Sequence, residues 1–237
     1  MNRTSTEKQS EKPAMEGSLV RQAKSREYYD GGRDDMLKYI PQTAKRTLEF
    51  GCGFGEFSAL LKRRLDAESW AVEVDETAAR EASQRLDKVI CADAHASLTH
   101  LPDDHFDCIV LFDILEHLVD PYSLLLAVQP KLTPHGVVVA SIPNIRFYRT
   151  FLKFVLHGEW QYEEHGIMDS THLRFFTRKS IIDLFEGRGY RIVTLEGIHP
   201  TTSRTYKLLN ALLLNTFADV RYRQFAVVAA PCSGSRQ

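Results

Sequence analysis

The run Asp113-Ile114-Leu115-Glu116-His117-Leu118 packs two carboxylates and an imidazole into a short segment. Read as a helical turn, Asp113, Glu116 and His117 fall at i, i+3 and i+4, on one face. A second histidine, His172, follows in Asp169–Thr177 (DSTHLRFFT). Three kinds of chemistry fit these residue types. His117 can act as a general base on a hydroxyl proton, with Glu116 and His172 as further candidate catalytic groups. Alternatively Asp113, Glu116, His117 and His172 hold a divalent ion (Mg, Mn or Zn) that lowers the pKa of a coordinated hydroxyl. In the third reading the histidines only fasten a loop through hydrogen bonds.

A second constellation lies upstream in Leu48–Phe57 (LEFGCGFGEF). Glycines at alternate positions (Gly51, Gly53, Gly55) let the backbone turn sharply and approach a ligand closely. The helix expected to follow offers free N–H groups and the positive end of its dipole. Glu73 stands about 20 residues on, where a carboxylate can accept both hydroxyl protons of a ribose. Asp93 ends a third apolar run, where it can accept from an adenine amino group, with the Ala94 backbone beside it. Each feature alone also reads as a turn residue or a strand-end cap. Jointly they describe an adenosine site. The G-x-G-x-G spacing lacks the third glycine of the dinucleotide fingerprint, which argues against NAD.

The elements that must position these groups alternate. Strands are expected at Arg46–Cys52, Trp70–Asp75, Val89–Ala94, Phe106–Phe112 and Gly136–Ile142, and helices at Gly55–Leu65, Thr77–Leu86 and Pro121–Leu132. Such alternation implies an α/β fold with a parallel sheet and helices on both faces. Asn144–Arg178 breaks the pattern and is rich in aromatics and histidines. A helix at Lys179–Gly187, strands at Tyr190–Glu196 and Tyr222–Ala230, and an apolar helix near Thr205–Thr216 complete the reading.

Here the motifs carry a resemblance. LEFGCGFGEF resembles motif I of class I S-adenosylmethionine-dependent methyltransferases, AVEVD their second-strand acidic motif and CADA their adenine motif; the similarity covers roughly Tyr28–Pro231. It implies a Rossmann-like, seven-stranded, mostly parallel sheet with an antiparallel last strand. It further implies that S-adenosyl-L-methionine is held by Glu49, Gly51, Cys52, Gly53, Gly55, Glu73, Val74, Asp93, Ala94 and Asp113. In similar enzymes an N-terminal segment closes over the cofactor, which adds Tyr29 and Arg33 as contacts to its carboxylate. A segment of the form ExxEH with a later histidine resembles the metal site of small-RNA terminal 2′-O-methyltransferases; here the first position is the shorter Asp113. The ubiquinone-pathway O-methyltransferases carry a similar LEH segment. SIPN (Ser141–Asn144), Gly158–Thr177 and LEHLVDP together resemble bacterial methyltransferases of surface-polysaccharide and sugar-modifying pathways.

Composition bounds the alternatives. The chain has 237 residues, enough for one α/β domain with decoration. We expect a tail at 1–20, a single domain at 21–237 and an insertion at 144–178 covering the site. Thirty basic and 31 acidic residues give a net charge of -1, without the basic excess of a general nucleic-acid binder. The four cysteines are widely spaced and show no CxxC pair, so Cys52, Cys91 and Cys108 are expected reduced and buried, as in a cytoplasmic protein. No apolar run reaches the ~18 residues of a membrane span, and the N-terminus lacks a signal-peptide core. The expected activity is O-methylation of a hydroxyl on a small molecule or a glycan. The alternatives are metal-dependent RNA 2′-O-methylation, with Arg146, Arg149, Lys153, Arg174, Arg178 and Lys179 as a local basic group, and a non-catalytic cofactor-binding partner subunit. Trp160, Tyr162, Phe175 and Phe176 would either stack on a sugar face or form the insertion's own core.

Overall fold

The computed structural model describes residues 33–203, 206, 210 and 218–232. Tyr29, the expected tail at 1–20 and most of the helix expected near Thr205–Thr216 lie outside the described residues. Seven strands, β1 (Arg46–Phe50), β2 (Glu68–Glu73), β3 (Lys88–Cys91), β4 (Phe106–Phe112), β5 (Leu132–Pro143), β6 (Tyr190–Pro200) and β7 (Tyr222–Pro231), form one sheet. Their order is β3-β2-β1-β4-β5-β7-β6. The first five pair in parallel, and β7 runs antiparallel to both β5 and β6.

Side-chain alternation along β4 shows why helices cover both faces. Ile109 and Leu111 enter a core with Leu124, Leu125 and Val128 of α3 (Pro121–Val128) and Ile181, Leu184 and Phe185 of α5 (Arg178–Glu186). Cys108, Val110 and Phe112 face the opposite core, with Phe57 and Leu61 of α1 (Glu56–Leu65) and Met36 and Tyr39 of a short 3-10 helix, Asp34–Tyr39. Between them stands α2 (Glu76–Ala82), capped by Asp75, whose carboxylate accepts from the Ala78 N–H at 2.8 Å.

Two departures from the sequence reading have simple causes. The helix expected at Pro121–Leu132 stops at Val128 and gives way to a 3-10 turn, Gln129–Lys131. Pro130 cannot donate to a continuing helix. Cys91, expected buried, is exposed, because β3 is the edge strand. All four cysteines are free.

The chain leaves the sheet after β5 and is fastened where it returns. Asn144 is fully buried, bridges to Phe176 and donates through Nδ2 to the carbonyls of Asp219 and Tyr222, each at 3.0 Å. The excursion between them begins with α4 (Tyr148–Leu152), which widens into a π-helical turn, Lys153–His157. Among the described residues no helix is long and apolar enough to cross a membrane.

Candidate active site

A cleft of about 1500 Å³ runs along the carboxyl ends of β1, β2, β3, β4 and β5. This is where open parallel sheets bind ligands. Its lining includes Gly51, Glu73, Asp93, Asp113, Glu116, His117 and His172, so both sequence constellations face one space.

At the β1 end the glycines do different work. Gly51 has φ +70°, and a Cβ there would stand 2.1 Å from Cδ1 of Ile114. Glycine at this position therefore lets the β1 turn pass the start of the DILEHL segment. Gly55, at φ +77°, is not among the lining residues; a Cβ there would meet the Cβ of Ala82 at 3.0 Å. Its smallness serves the packing of the loop on α2 rather than a ligand. Gly53 is absent from the lining too, and donates its N–H to Oε2 of Glu73 at 2.8 Å.

Glu73 is buried and already engaged. Its Oε1 accepts from the N–H groups of Val74 (2.8 Å) and Asp75 (2.9 Å), while Oε2 accepts from Gly53. A carboxylate has about four acceptor positions. One remains on Oε2, so direct acceptance of both ribose hydroxyls, as expected from the sequence, requires release of a main-chain N–H. Asp93 lines the cleft and uses Oδ1 to cap the turn Ala94–Ser97, accepting from the His95 N–H at 2.9 Å. Val74, Ala94 and Cys52 also line it. Burial pushes the Cys52 thiol well above its usual range, which removes it as a nucleophile.

Glu49 lies on the cleft floor, 5% exposed, and accepts from Oγ of Ser58 at 2.6 Å. Burial pushes its carboxyl up to about 7; the Ser58 hydrogen bond and the nearby Arg33 charge pull the other way and only partly offset it.

Asp113 does not lie where the motif placed it. The DILEHL segment is not an α-helical turn at its start: Asp113 has φ +51°, and a 3-10 turn begins only at Leu115. The left-handed residue swings its carboxylate away from the histidines. Oδ2 pairs with Arg33, and Oδ1 accepts from Oγ of Ser141 and Nε2 of Gln224, both at 2.9 Å. Sheet pairing of β4, β5 and β7 brings in Ser141 and Gln224, and Arg33 arrives from the residue ahead of the 3-10 helix, so the sequence does not show these partnerships.

The structure does bring Glu116, His117 and His172 together. Each offers a ligand atom, and these atoms lie within 4.8 Å of one another. The four-residue metal set expected from the sequence is thus a three-residue set, without Asp113. Glu116 and His172 are buried and His117 is half-buried. The His172 Nε2 stands 4.0 Å from Oε1 of Glu116, and the two imidazole rings are 4.7 Å apart. His172 Nδ1 lies 3.0 Å from the Ile167 carbonyl and His117 Nδ1 lies 3.2 Å from the Thr171 carbonyl. A carbonyl only accepts, so both Nδ1 atoms carry a proton, and in the neutral imidazoles both Nε2 atoms present a lone pair. Two imidazoles and a carboxylate with such outer hydrogen bonds fit a divalent ion.

The insertion's aromatics do not reach the cleft. Trp160 packs edge-on against Phe175 at 5.0 Å and Phe154 at 5.8 Å, and none of these rings is among the lining residues. Phe176 is buried in the main core. The cluster is packing rather than a stacking platform for a sugar. Half of the basic group is paired with acids: Arg146 with Asp219, Lys153 with Glu163 and Lys179 with Asp183, while Arg174 donates to the Val119 carbonyl.

Comparison with known proteins bears on this geometry. A family model described as "Methyltransferase domain" matches residues 21–195. A ubiquinone biosynthesis O-methyltransferase of Aeromonas salmonicida is 28% identical over 185 residues, covering 75% of this chain and 74% of that protein. A probable S-adenosylmethionine-dependent methyltransferase of Mycobacterium tuberculosis is 33% identical over 102 residues, 43% of this chain and 37% of that protein. The first of these names mentions ubiquinone, and neither mentions the polysaccharide pathways suggested by the motifs. Among solved structures, a SAM-dependent methyltransferase from Archaeoglobus fulgidus shares the fold with a TM-score of 0.62 and 22% identity, over 82% of this chain and 90% of that one.

Proposed function

The chain belongs to the methyltransferase-domain family and is an S-adenosylmethionine-dependent methyltransferase, and from that premise we propose that it methylates a hydroxyl oxygen of a small molecule. The observation that carries the proposal is the single cleft that joins the glycine loop, Glu73 and Asp93 to Glu116, His117 and His172. The acidic lining (Glu49, Glu73, Asp75, Asp93) suits a cationic ligand. S-adenosylmethionine would supply its sulfonium methyl carbon to the acceptor oxygen, the C–O bond forming as the C–S bond breaks and the neutral thioether leaving.

In this reading Asp93 and the free acceptor position on Glu73 hold the adenosine, and Glu49 faces the charged methionine end. Glu116, His117 and His172 surround the acceptor hydroxyl. His117 Nε2, with its lone pair exposed to the cleft by the Nδ1 hydrogen bond, takes the hydroxyl proton. Where a divalent ion is bound, the same three residues hold it, and it would lower the hydroxyl pKa. The imidazole-rich set suits Zn better than Mg or Mn. Most of the acceleration comes from alignment and water exclusion.

Acceptors to test first are ubiquinone-pathway hydroxyls, from the relatives' names, and sugar hydroxyls, from the insertion motif. That Trp160, Tyr162 and Phe175 of the insertion are not among the lining residues favours the former. Titration calorimetry with S-adenosylmethionine tests the cofactor, and no binding by folded protein would overturn the reading. Assay with and without chelator separates the two roles: activity that survives chelation assigns His117 as base.

A further inference from the structure

Asp169 is 1% exposed and stands outside the chemistry described above. Its Oδ1 accepts from two groups of one residue, the N–H of Thr171 at 2.8 Å and the hydroxyl of Thr171 at 2.6 Å. The same Thr171 Oγ1 lies 3.1 Å from Nδ1 of His117, and the Thr171 carbonyl lies 3.2 Å from that nitrogen. The direction of every proton in this chain follows from the donor inventory. A carboxylate accepts only, so the threonine hydroxyl must donate to Asp169. That leaves lone pairs of Oγ1, together with those of the carbonyl, facing Nδ1. Both demand a proton on Nδ1.

We propose that Asp169 and Thr171 are positioning residues that fix His117 in its Nδ1-protonated form and aim Nε2 into the cleft. The inference deepens the function proposed above and rests on His117 acting there, as base or as ligand. The arrangement follows the orienting logic of a buried acid behind a catalytic imidazole, with a hydroxyl inserted between them. His172 Nδ1 meets one acceptor, the Ile167 carbonyl at 3.0 Å, whereas His117 Nδ1 is shared between the Thr171 carbonyl at 3.2 Å and the Thr171 hydroxyl at 3.1 Å. The turn Asp169–His172 also sets the spacing of the pair: the His172 N–H donates to the Asp169 carbonyl at 3.0 Å, and the N–H groups of Leu173 and Arg174 both donate to the Glu116 carbonyl. Loss of the Asp169 carboxylate would free the threonine hydroxyl to turn its own hydrogen toward Nδ1. Nδ1–H would then keep only the Thr171 carbonyl as acceptor, and proton population would move toward Nε2, the atom needed unprotonated.

The test reads the ring nitrogens directly. Long-range proton–nitrogen NMR on the chelator-treated full chain, with His117 assigned by its loss in His117→Gln, reports which nitrogen is protonated. Wild type should show a protonated Nδ1 and a pyridine-like Nε2. Asp169→Ala should move proton population to Nε2. Thr171→Val should shift it in the same direction by less, and Thr171→Ser should restore the wild-type pattern. Methyl transfer should fall about 10–100-fold in the first two variants and return in Thr171→Ser, with S-adenosylmethionine affinity held within about twofold throughout. A wild-type ring protonated at Nε2, or an unchanged ring in folded Asp169→Ala, overturns the proposal. If Asp169→Ala does not fold, an unchanged ring in Thr171→Val overturns it. A ring that shifts as expected in a chain without hydroxyl-methylating activity leaves the positioning intact and removes the role assigned to His117.

Discussion

At the β1–β3 end of the cleft, side chains are placed by contacts close in sequence; at the β4 end they are placed by contacts that span the fold. Gly53 reaches Glu73 across 20 residues and Glu49 reaches Ser58 across nine. His117 meets Thr171 across 54, and Asp113 meets Gln224 across 111. The first end is held by elements whose order and spacing set the geometry. The second exists only once β5, β7 and the insertion have docked. This division matches what each end would do: one ligand recognised by a fixed frame, and an acceptor recognised by a segment free to vary. It also says the two ends should fail separately when mutated.

The sharpest break of that separation comes from His117→Ala. Turnover should fall by about 10²–10⁴-fold, the usual worth of a general base, while S-adenosylmethionine affinity by calorimetry stays within about twofold. A collapse of cofactor affinity in this variant would show that the two ends are one energetic unit. Glu73→Gln addresses the other end. The amide would place an NH₂ against main-chain N–H donors and lose charge-assisted bonds worth about 1.5–3 kcal/mol each. Cofactor affinity should drop about 10–100-fold, and the turnover of cofactor-saturated enzyme should change little.

Gly51→Ala probes a place where the ends touch. A methyl group there enters the space of Ile114 Cδ1 and sits at φ +70°, and the left-handed backbone alone costs about 1–2 kcal/mol. Denaturant unfolding should report a loss of at least that size. Adding Ile114→Ala should recover the steric part and leave the backbone part. Full recovery would mean that the conformation of the loop costs nothing.

Legibility in the sequence divides along the same line. Strand–helix alternation exposed the parallel sheet, because each strand's hydrophobic run is local. Glu73 and Asp93 were findable because strand ends recur at regular intervals. Asp113 was misplaced because a heptad-like spacing presumes continuous helix, and one left-handed residue cancels it. Gly55 was grouped with the ligand glycines because spacing cannot tell a contact with a ligand from a contact with Ala82. Gln224 carries no local signal, and neither Arg33, expected at the cofactor's carboxylate, nor Ser141 of the SIPN motif is readable as a partner of Asp113. Asp169 and Thr171 did carry one, the Asx-turn spacing Asp-x-Thr, but what that turn touches depends on the fold.

Glu49 gives the finest test, since it sits in the fixed end yet feels charge from Arg33. Burial holds its carboxyl at about 7 in the folded chain, above the ordinary value of 4.5. The folded state therefore keeps a proton that the unfolded chain releases, so stability falls as pH rises from about 4.5 toward 7 and then levels. A cationic ligand favours the ionised form. Cofactor binding below about 7 must then expel a proton, and affinity should weaken as pH drops, by at most about tenfold per unit. Calorimetry in buffers of different ionisation heat counts that proton. Glu49→Gln should abolish both the proton release and the slope. If the slope persists in that variant, a group at the Asp113–Arg33 junction sets it, and the β1 end is not the self-contained frame its short-range contacts imply.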